Sequence, residues 1–169
     1  MKSALVLGAS GQDGSFMCKS LLQCDYKVIG LSRNSFNSSL NHKKLGIEEE
    51  VEMHNGDIQN FETIETIIEK YMPDEIYNLA AQSSVGNSFS YPLETTKSII
   101  DGTINILEAS KKTKFTGNLF FAGSSEVFGL TEKAATIEHI QRPNNPYGIA
   151  KQASMNLVKM YRNNLGLKC

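Results

Sequence analysis

Short apolar runs alternate with longer amphipathic segments along this chain of 169 residues. The apolar runs are bounded by turn residues, a pattern that predicts buried strands. These strands fall at residues 4–7, 27–31, 51–55, 75–79 and 118–122, and a sixth begins at 167–169. The amphipathic segments predict helices at residues 14–24, 40–45, 61–71, 93–112 and 147–165, the last opened by Pro146 in its first turn.

This alternation of strand and helix is typical of βαβ units. We therefore expect an α/β fold with a doubly wound parallel sheet of the Rossmann type, ending as its sixth strand begins. The chain is long enough for one well-buried domain and short for two, and no internal repeat or linker divides it.

Glycines at positions 8, 11 and 14 come directly after the first predicted strand and open a predicted helix. In a dinucleotide-binding turn, Gly8 would permit the tight turn and Gly11 would let the backbone approach a pyrophosphate. Gly14 would allow close packing of the helix on the strand, and the helix N-terminus would supply amide donors. A plain tight turn is the alternative interpretation of these glycines alone.

The end of the second predicted strand bears on which dinucleotide would bind. An Asp or Glu there bonds the 2′-hydroxyl of NAD, whereas this chain has Ser32 and Arg33. A cation suits a 2′-phosphate, so Arg33 favours NADP, with a solvated surface arginine as the alternative. Asp57, just after the third strand, is a candidate for bonding the adenine, although an Asp after a glycine is also a common cap.

The triplet Ser124-Ser125-Glu126 follows the fifth apolar run, at the sheet edge where open α/β sheets bind their ligands. A serine hydroxyl there can bond a substrate hydroxyl and the Tyr147 phenol, and Glu126 is a candidate base for a carbon-bound proton. The alternatives are a strand-end turn for the serines and a surface charge for the glutamate.

Tyr147 and Lys151 lie one turn apart on the last predicted helix. A cation at this spacing favours the phenolate form of a tyrosine, which can take a hydroxyl proton while hydride leaves the same carbon. An exposed pair of side chains is the alternative. The glycine turn, the Ser-Ser-Glu triplet and this pair together favour nicotinamide-dependent chemistry.

Composition excludes several other classes of function. A net charge of -1 and a pI near 6.3 leave no basic excess for nucleic acid, and no apolar run approaches the roughly 18 residues of a membrane helix. Three cysteines without C-x-x-C spacing and three scattered histidines predict neither a disulfide framework nor a metal site. We expect a cytoplasmic protein without bound metal, in which His42, His54 and His139 are structural or solvent-facing.

Four segments resemble the extended short-chain dehydrogenase/reductase family and, within it, the GDP-mannose 4,6-dehydratase group. These segments are residues 8–14, 74–86, 122–126 and 146–151. The resemblance implies a lyase that uses NADP to convert GDP-D-mannose to GDP-4-keto-6-deoxy-D-mannose and water, in the synthesis of deoxysugars. It also implies a homo-oligomer, dimer or tetramer, in the intact enzyme.

The resemblance further implies a role for each site residue. Tyr147 would take the sugar O4 proton, Lys151 would hold the phenolate and the nicotinamide ribose, and Glu126 would remove the C5 proton. Ser124 stands where the family often has Thr. The NADP would contact Gly8, Ser10, Gly11, Gln12, Asp13, Gly14, Arg33, Asp57, Ile58, Leu79, Ala80, Ala81, Tyr147 and Lys151. The substrate would contact Gln82, Ser83, Ser124 and Ser125, and residues 33–41 would reach a neighbouring subunit.

Length is the main departure from the family, whose members carry a further half with most of the nucleotide-sugar pocket. Residues 1–169 would then form the NADP-binding domain with the catalytic helix, and an inactive fragment of a dehydratase is one alternative. The others are an NADP-binding or interaction module without turnover, and a dehydratase or epimerase for another nucleotide sugar. Related dTDP-glucose dehydratases typically have Asp-Glu in place of Ser125-Glu126, and epimerases usually lack the glutamate.

Overall fold

The computed structural model of the chain describes residues 1–33 and 40–169. Over these residues the chain alternates between parallel strands and helices. The strands are β1 (Ser3–Leu7), β2 (Lys27–Ser32), β3 (Glu52–Asn55), β4 (Glu75–Asn78) and β5 (Asn118–Phe121). The helices are α1 (Gln12–Gln23), α2 (Leu40–Leu45), α3 (Phe61–Tyr71), α4 (Val85–Ser90), α5 (Pro92–Lys112) and α6 (Pro146–Leu165), and a 3₁₀ turn covers Ser125–Phe128.

All strand pairs are parallel, and the strands lie in the order β3-β2-β1-β4-β5. The chain builds outward from β1 to β2 and β3, then returns to the other side of β1 for β4 and β5. The order therefore reverses between β1 and β4, which is the position where open α/β sheets form a ligand crevice. The predicted doubly wound parallel sheet is confirmed.

The core lies on both faces of the sheet because successive side chains of a strand point to opposite faces. Leu5 and Leu7 of β1 belong to the apolar cluster that includes residues of α3, α5 and α6. Ala4 and Val6 of the same strand belong to the cluster that includes Cys18 of α1. Every β1 residue from Ala4 to Leu7 is completely buried, as expected for a central parallel strand. No helix in the described parts of the chain is long and apolar enough to cross a membrane.

The structure adds one helix to the sequence prediction. Helix α4 was not predicted, because its sequence lacks an apolar stripe and its Phe89 is exposed. The Ser84 hydroxyl begins this helix by accepting a hydrogen bond from the Asn87 amide at 3.2 Å. The predicted sixth strand is present only as a start: the Leu119 amide donates to the Lys168 carbonyl at 2.7 Å, which holds residues 167–169 beside β5 without a continuous ladder.

Candidate active site

The glycine turn between β1 and α1 has the geometry that the sequence predicts. Gly8 has a φ of +83°, and a Cβ there would lie 2.8 Å from the Leu79 carbonyl oxygen at the end of β4. A Cβ on Gly14 would lie 2.2 Å from the Gly8 carbonyl oxygen, so only glycine lets α1 begin this close to the turn. Gly11 is the N-cap residue of α1 and makes no side-chain cap. The amides of the first helical turn are therefore left to a ligand.

A cleft of about 360 Å³ opens in front of this turn, at the reversal between β1 and β4. Every residue predicted to contact the cofactor lines it, with the exception of Tyr147 and Lys151. Arg33 lies exposed at its rim, after the end of β2. Gln82 and Ser83, the predicted substrate contacts that follow β4, also line this cleft. The structure therefore brings the predicted cofactor residues together from four separate segments of the chain.

Helix α2 holds the glycine turn from behind, which the sequence did not reveal. His42 is 1% exposed, and its Nε2 lies 2.8 Å from the Ala9 carbonyl oxygen. The Asn41 amide donates to the Ser10 carbonyl oxygen at 3.0 Å. The Ser10 and Ser32 hydroxyls also bond each other, which ties the turn to the end of β2. His42 is thus structural, one of the two roles expected for it. Residues 34–39, which contain most of the predicted intersubunit stretch, lie outside the described residues.

Two cleft residues have local structural duties as well. The Asp57 carboxylate accepts a hydrogen bond from the Gln59 amide at 2.9 Å, so it caps a turn while it faces the cleft. The Gln82 side chain donates to the Thr95 hydroxyl at 3.2 Å and to the Ser84 carbonyl at 3.0 Å. These bonds fix the segment after β4 against α5, and they engage an amide that was expected to serve the substrate.

Ala81 connects the cleft to helix α6. It lines the cleft and also packs against the buried cluster of Ile99, Tyr147 and Ala150. Its φ of +113° lies in a region that side-chain-bearing residues rarely adopt. Such strain is typical of functional sites, where the surrounding structure maintains it.

Lys151 is a buried cation at the end of β5. It is 7% exposed, and its Nζ donates to the Ala122 carbonyl oxygen at 2.9 Å. The ammonium also lies 4.9 Å from the centre of the Phe121 ring and 5.7 Å from that of Tyr147. Burial lowers the pKa of Lys151 to about 8. The predicted Tyr–Lys pair is therefore buried rather than exposed, and the lysine is held where an anionic or hydroxyl ligand would stabilise its charge.

Glu126 is held by its neighbours on two sides. The Ser124 hydroxyl accepts a hydrogen bond from the Glu126 amide at 3.2 Å and so begins the 3₁₀ turn. This bond leaves the hydroxyl proton of Ser124 available, so the predicted contact of that hydroxyl with Tyr147 and the substrate stays a prediction. The Asn145 side chain donates to the Glu126 carboxylate at 2.7 Å. Ser125, the other predicted substrate contact here, is exposed.

The fold is that of the nucleotide-sugar epimerases and dehydratases. The UDP-glucose 4-epimerase of Brucella ovis, solved in complex with NAD, superposes with a TM-score of 0.86 at 26% identity, over 99% of this chain and 50% of that structure. The model of the family described as GDP-mannose 4,6 dehydratase matches residues 5–169. The chain belongs to that family.

Relatives in the family align along almost the whole chain. The GDP-mannose 4,6-dehydratase of Vibrio cholerae is 36% identical over 98% of this chain and 47% of its own length. GDP-mannose 4,6 dehydratase 1 of Arabidopsis thaliana is 34% identical over 98% of this chain and 49% of its own length. The chain therefore spans about half the length of the curated relatives it matches.

Replacement of Lys151 by methionine is expected to stabilise the fold at neutral pH. Burial lowers the pKa of Lys151 from 10.5 to about 8, so folding below pH 8 buries a charged ammonium at a cost in free energy. That cost shrinks as the pH rises from 8 toward 10.5, because the lysine is then neutral in the folded chain and a growing share of it is neutral in the unfolded chain. We expect Lys151→Met to raise the free energy of unfolding by about 1–3 kcal/mol at neutral pH, after loss of the bond to Ala122 is counted.

Urea denaturation at neutral pH and at pH 10.5 measures this effect and its decrease. Lys159→Met, at an exposed position of the same helix, is the matched control and should change the free energy of unfolding by less than about 0.5 kcal/mol. A Lys151→Met variant that is less stable than the wild type at neutral pH would contradict the account of the buried charge.

Proposed function

We propose that this chain forms the NADP-binding and proton-transfer part of an enzyme that dehydrates GDP-mannose. The observation that carries the proposal is that the start of helix α6 holds two candidate proton-transfer groups, the Tyr147 phenol and the Glu126 carboxylate. Helix α6 contains Tyr147 and Lys151, and the residue before it, Asn145, bonds the carboxylate of Glu126 at 2.7 Å. Dehydration of a sugar needs both groups, because a hydroxyl proton and a carbon-bound proton must each be removed.

The protein backbone at the β1–α1 turn supports binding of a dinucleotide in the cleft. The first turn of α1 offers amide donors to a pyrophosphate, and Gly8 and Gly14 leave no side chain in its way. The segment from Leu79 to Ala81 would lie along the nicotinamide half, since Ala81 packs toward Tyr147. The Brucella ovis epimerase, which shares this fold, binds NAD. These observations support a nicotinamide dinucleotide as the cofactor.

NADP is proposed over NAD because of Arg33. This exposed arginine lies at the rim of the cleft, after the end of β2, where a carboxylate would otherwise recognise the ribose of NAD. The next acidic residue after β2 in the sequence is Glu48, beyond α2. A guanidinium can bind a 2′-phosphate with two parallel hydrogen bonds.

In the proposed reaction, Tyr147, Lys151 and Glu126 each have a separate role. Tyr147 takes the O4 proton of the sugar as C4 becomes a ketone, and the nearby Lys151 ammonium stabilises the phenolate. The ketone acidifies the C5–H bond, and Glu126 takes that proton. A C5–C6 double bond forms while the C6–O bond breaks, so the C5 proton and the C6 hydroxyl together account for the water released. A bound nicotinamide would supply reversible hydride transfer, from C4 at the start and to C6 at the end. C5 then takes up a proton in place of the one it lost, which balances the O4 proton that Tyr147 removed.

Glu126 also favours a dehydratase over an epimerase, which needs no base for C5. The GDP-mannose pocket is proposed to lie mainly in the part of the relatives that this chain does not cover, with Ser83 and Ser125 at its border. Exposed apolar side chains at the α4–α5 junction, Phe89, Tyr91 and Leu93, support association with further polypeptide in a homo-oligomer. A cytoplasmic location belongs to the same proposal, since nucleotide sugars and NADP are soluble metabolites of that compartment.

Removal of either proton-transfer group should abolish turnover while sparing cofactor binding. In a preparation that converts GDP-mannose to the 4-keto-6-deoxy product, Tyr147→Phe and Glu126→Gln should each lower kcat by about 100-fold or more. The Kd for NADP should change less than about threefold, because each substitution changes little volume. Glu132→Gln, at an exposed position, is the control. Full turnover in either site variant would refute the assigned role, and NADP binding without product in the wild type would favour a binding module.

Arg33→Ala tests the choice of dinucleotide. Loss of a charge-assisted contact to the 2′-phosphate should raise the Kd for NADP by about 10- to 100-fold and leave the Kd for NAD nearly unchanged. Isothermal titration with both dinucleotides measures the difference. Arg142→Ala, at an exposed arginine outside the cleft, should affect neither. Equal weakening of NADP and NAD would show a general phosphate contact instead.

A further inference from the structure

Asn145 has two hydrogen-bonding duties that a single side chain fulfils at once. It is 4% exposed and precedes α6 as its N-cap residue. Its Oδ1 accepts from the Gly148 amide at 2.8 Å, and its Nδ2 donates to Oε2 of Glu126 at 2.7 Å. The first bond is the ordinary cap of a helix. The second reaches a carboxylate on the neighbouring 3₁₀ turn.

The orientation of the Asn145 amide follows from its partners. The Gly148 N–H is a donor and needs an oxygen, so Oδ1 must face it. The amide nitrogen is then left for Glu126, whose carboxylate only accepts hydrogen bonds when ionised. The second N–H of the same amide points to the Asn144 side-chain oxygen at 3.4 Å. Reversal of the amide would place two acceptors together at Glu126 and two donors together at Gly148.

Helix capping alone does not call for asparagine at this position. Aspartate and serine cap helices about as well, because the cap needs only an acceptor. Asn60 illustrates the simpler case in this chain: its Oδ1 accepts from the Thr63 amide at 2.9 Å at the start of α3, at an exposed position. The donor half of Asn145 is the property that aspartate would lose.

The backbone around Glu126 is held as firmly as its side chain. A Cβ on Gly148 would lie 2.6 Å from the Glu126 carbonyl oxygen, so the first turn of α6 packs directly on the 3₁₀ turn. Within residues 1–33 and 40–169, no lysine, arginine or histidine forms an ion pair with Glu126. The Asn145 amide is therefore the side-chain donor that stabilises the negative charge of this carboxylate.

We infer that Asn145 is a positioning residue, which holds the Glu126 carboxylate fixed relative to Tyr147, two residues after Asn145. The inference rests on the proposed function, in which Glu126 removes a carbon-bound proton. One side chain thus connects the helix that bears the tyrosine and lysine to the turn that bears the glutamate. A change in the direction of α6 would move all of these groups together.

Asn145→Asp tests this inference because it keeps the cap and reverses the contact to Glu126. Aspartate still accepts from the Gly148 amide, but it places a second carboxylate where the donor was. NMR of the Glu126 carboxyl carbon in this chain measures the titration. We expect its midpoint in Asn145→Asp to lie about one pH unit or more above that of the wild type. The matched control is Asn60→Asp, the same substitution at the N-cap of α3, which makes no bond to Glu126 and should leave the Glu126 titration unchanged. Thermal unfolding verifies that both variants fold.

Turnover provides a second readout that separates this inference from the proposed function. In a preparation active on GDP-mannose, Asn145→Asp should lower kcat for dehydration by about 100-fold with little change in KM or in the Kd for NADP. Asn145→Ser keeps an acceptor for the helix cap and a hydroxyl donor on a shorter side chain, so it should recover part of the lost kcat. If Asn145→Asp does not fold, Asn145→Ser takes its place in the NMR titration.

Three outcomes are informative. A higher Glu126 titration in the variant, with an unchanged control, supports the positioning role whether or not the preparation turns over GDP-mannose. An unchanged Glu126 titration in Asn145→Asp overturns it, even with an active enzyme. Absence of turnover in the wild type alone would count against the proposed function and leave the titration to decide the role of Asn145.

Discussion

The reversal of strand order between β1 and β4 is the constraint on which the site depends. In a parallel sheet every strand ends at the same edge, so the segments that follow β1, β2, β3 and β4 meet there. The two halves of the sheet wind away from each other at this point and leave a crevice between them. Gly8 lies at its centre, in contact distance of the end of β4. The cleft is thus a consequence of topology, and the side chains determine what it binds.

The proposed catalytic cluster depends on a second constraint, the packing of α6 against the end of β5. The Lys151 ammonium bonds the Ala122 carbonyl, while Gly148 packs against the backbone of Glu126. A buried ammonium with one carbonyl partner costs stability, and such a cost is typical of residues kept for function. The 2.7 Å bond from Asn145 to Glu126 connects the same helix to the proposed base. Helix α6 therefore organises every group to which we assign a proton transfer.

The regular part of this fold could be predicted from sequence because its signals are local. Apolar runs marked β1 to β5, and the spacing of Gly8, Gly11 and Gly14 marked the turn. Helix α4 was not predicted because it begins with a serine cap and has no apolar stripe. The hydrogen bonds of His42 and Asn145 were not predicted for a different reason. Their partners lie 33 and 19 positions away, and a hydrogen bond between distant residues leaves no periodic pattern in the sequence. The bond that the Ser124 hydroxyl accepts from the Glu126 amide was also not predicted, and the assignment of this hydroxyl to the substrate and Tyr147 stays a prediction.

The central claim is that the cleft at the carboxyl ends of β1 and β4 binds a nicotinamide dinucleotide. Its most direct test is a titration of the chain with NADP, monitored by the NMR chemical shifts of the backbone amides. The account predicts that shift changes concentrate on residues 8–14, Arg33 and residues 79–83, and that NAD produces the same pattern at higher concentrations. The opposite edge of the sheet, near Asp25 and Lys114, should not respond. Absence of changes with either dinucleotide, or changes centred on that opposite edge, would contradict the account.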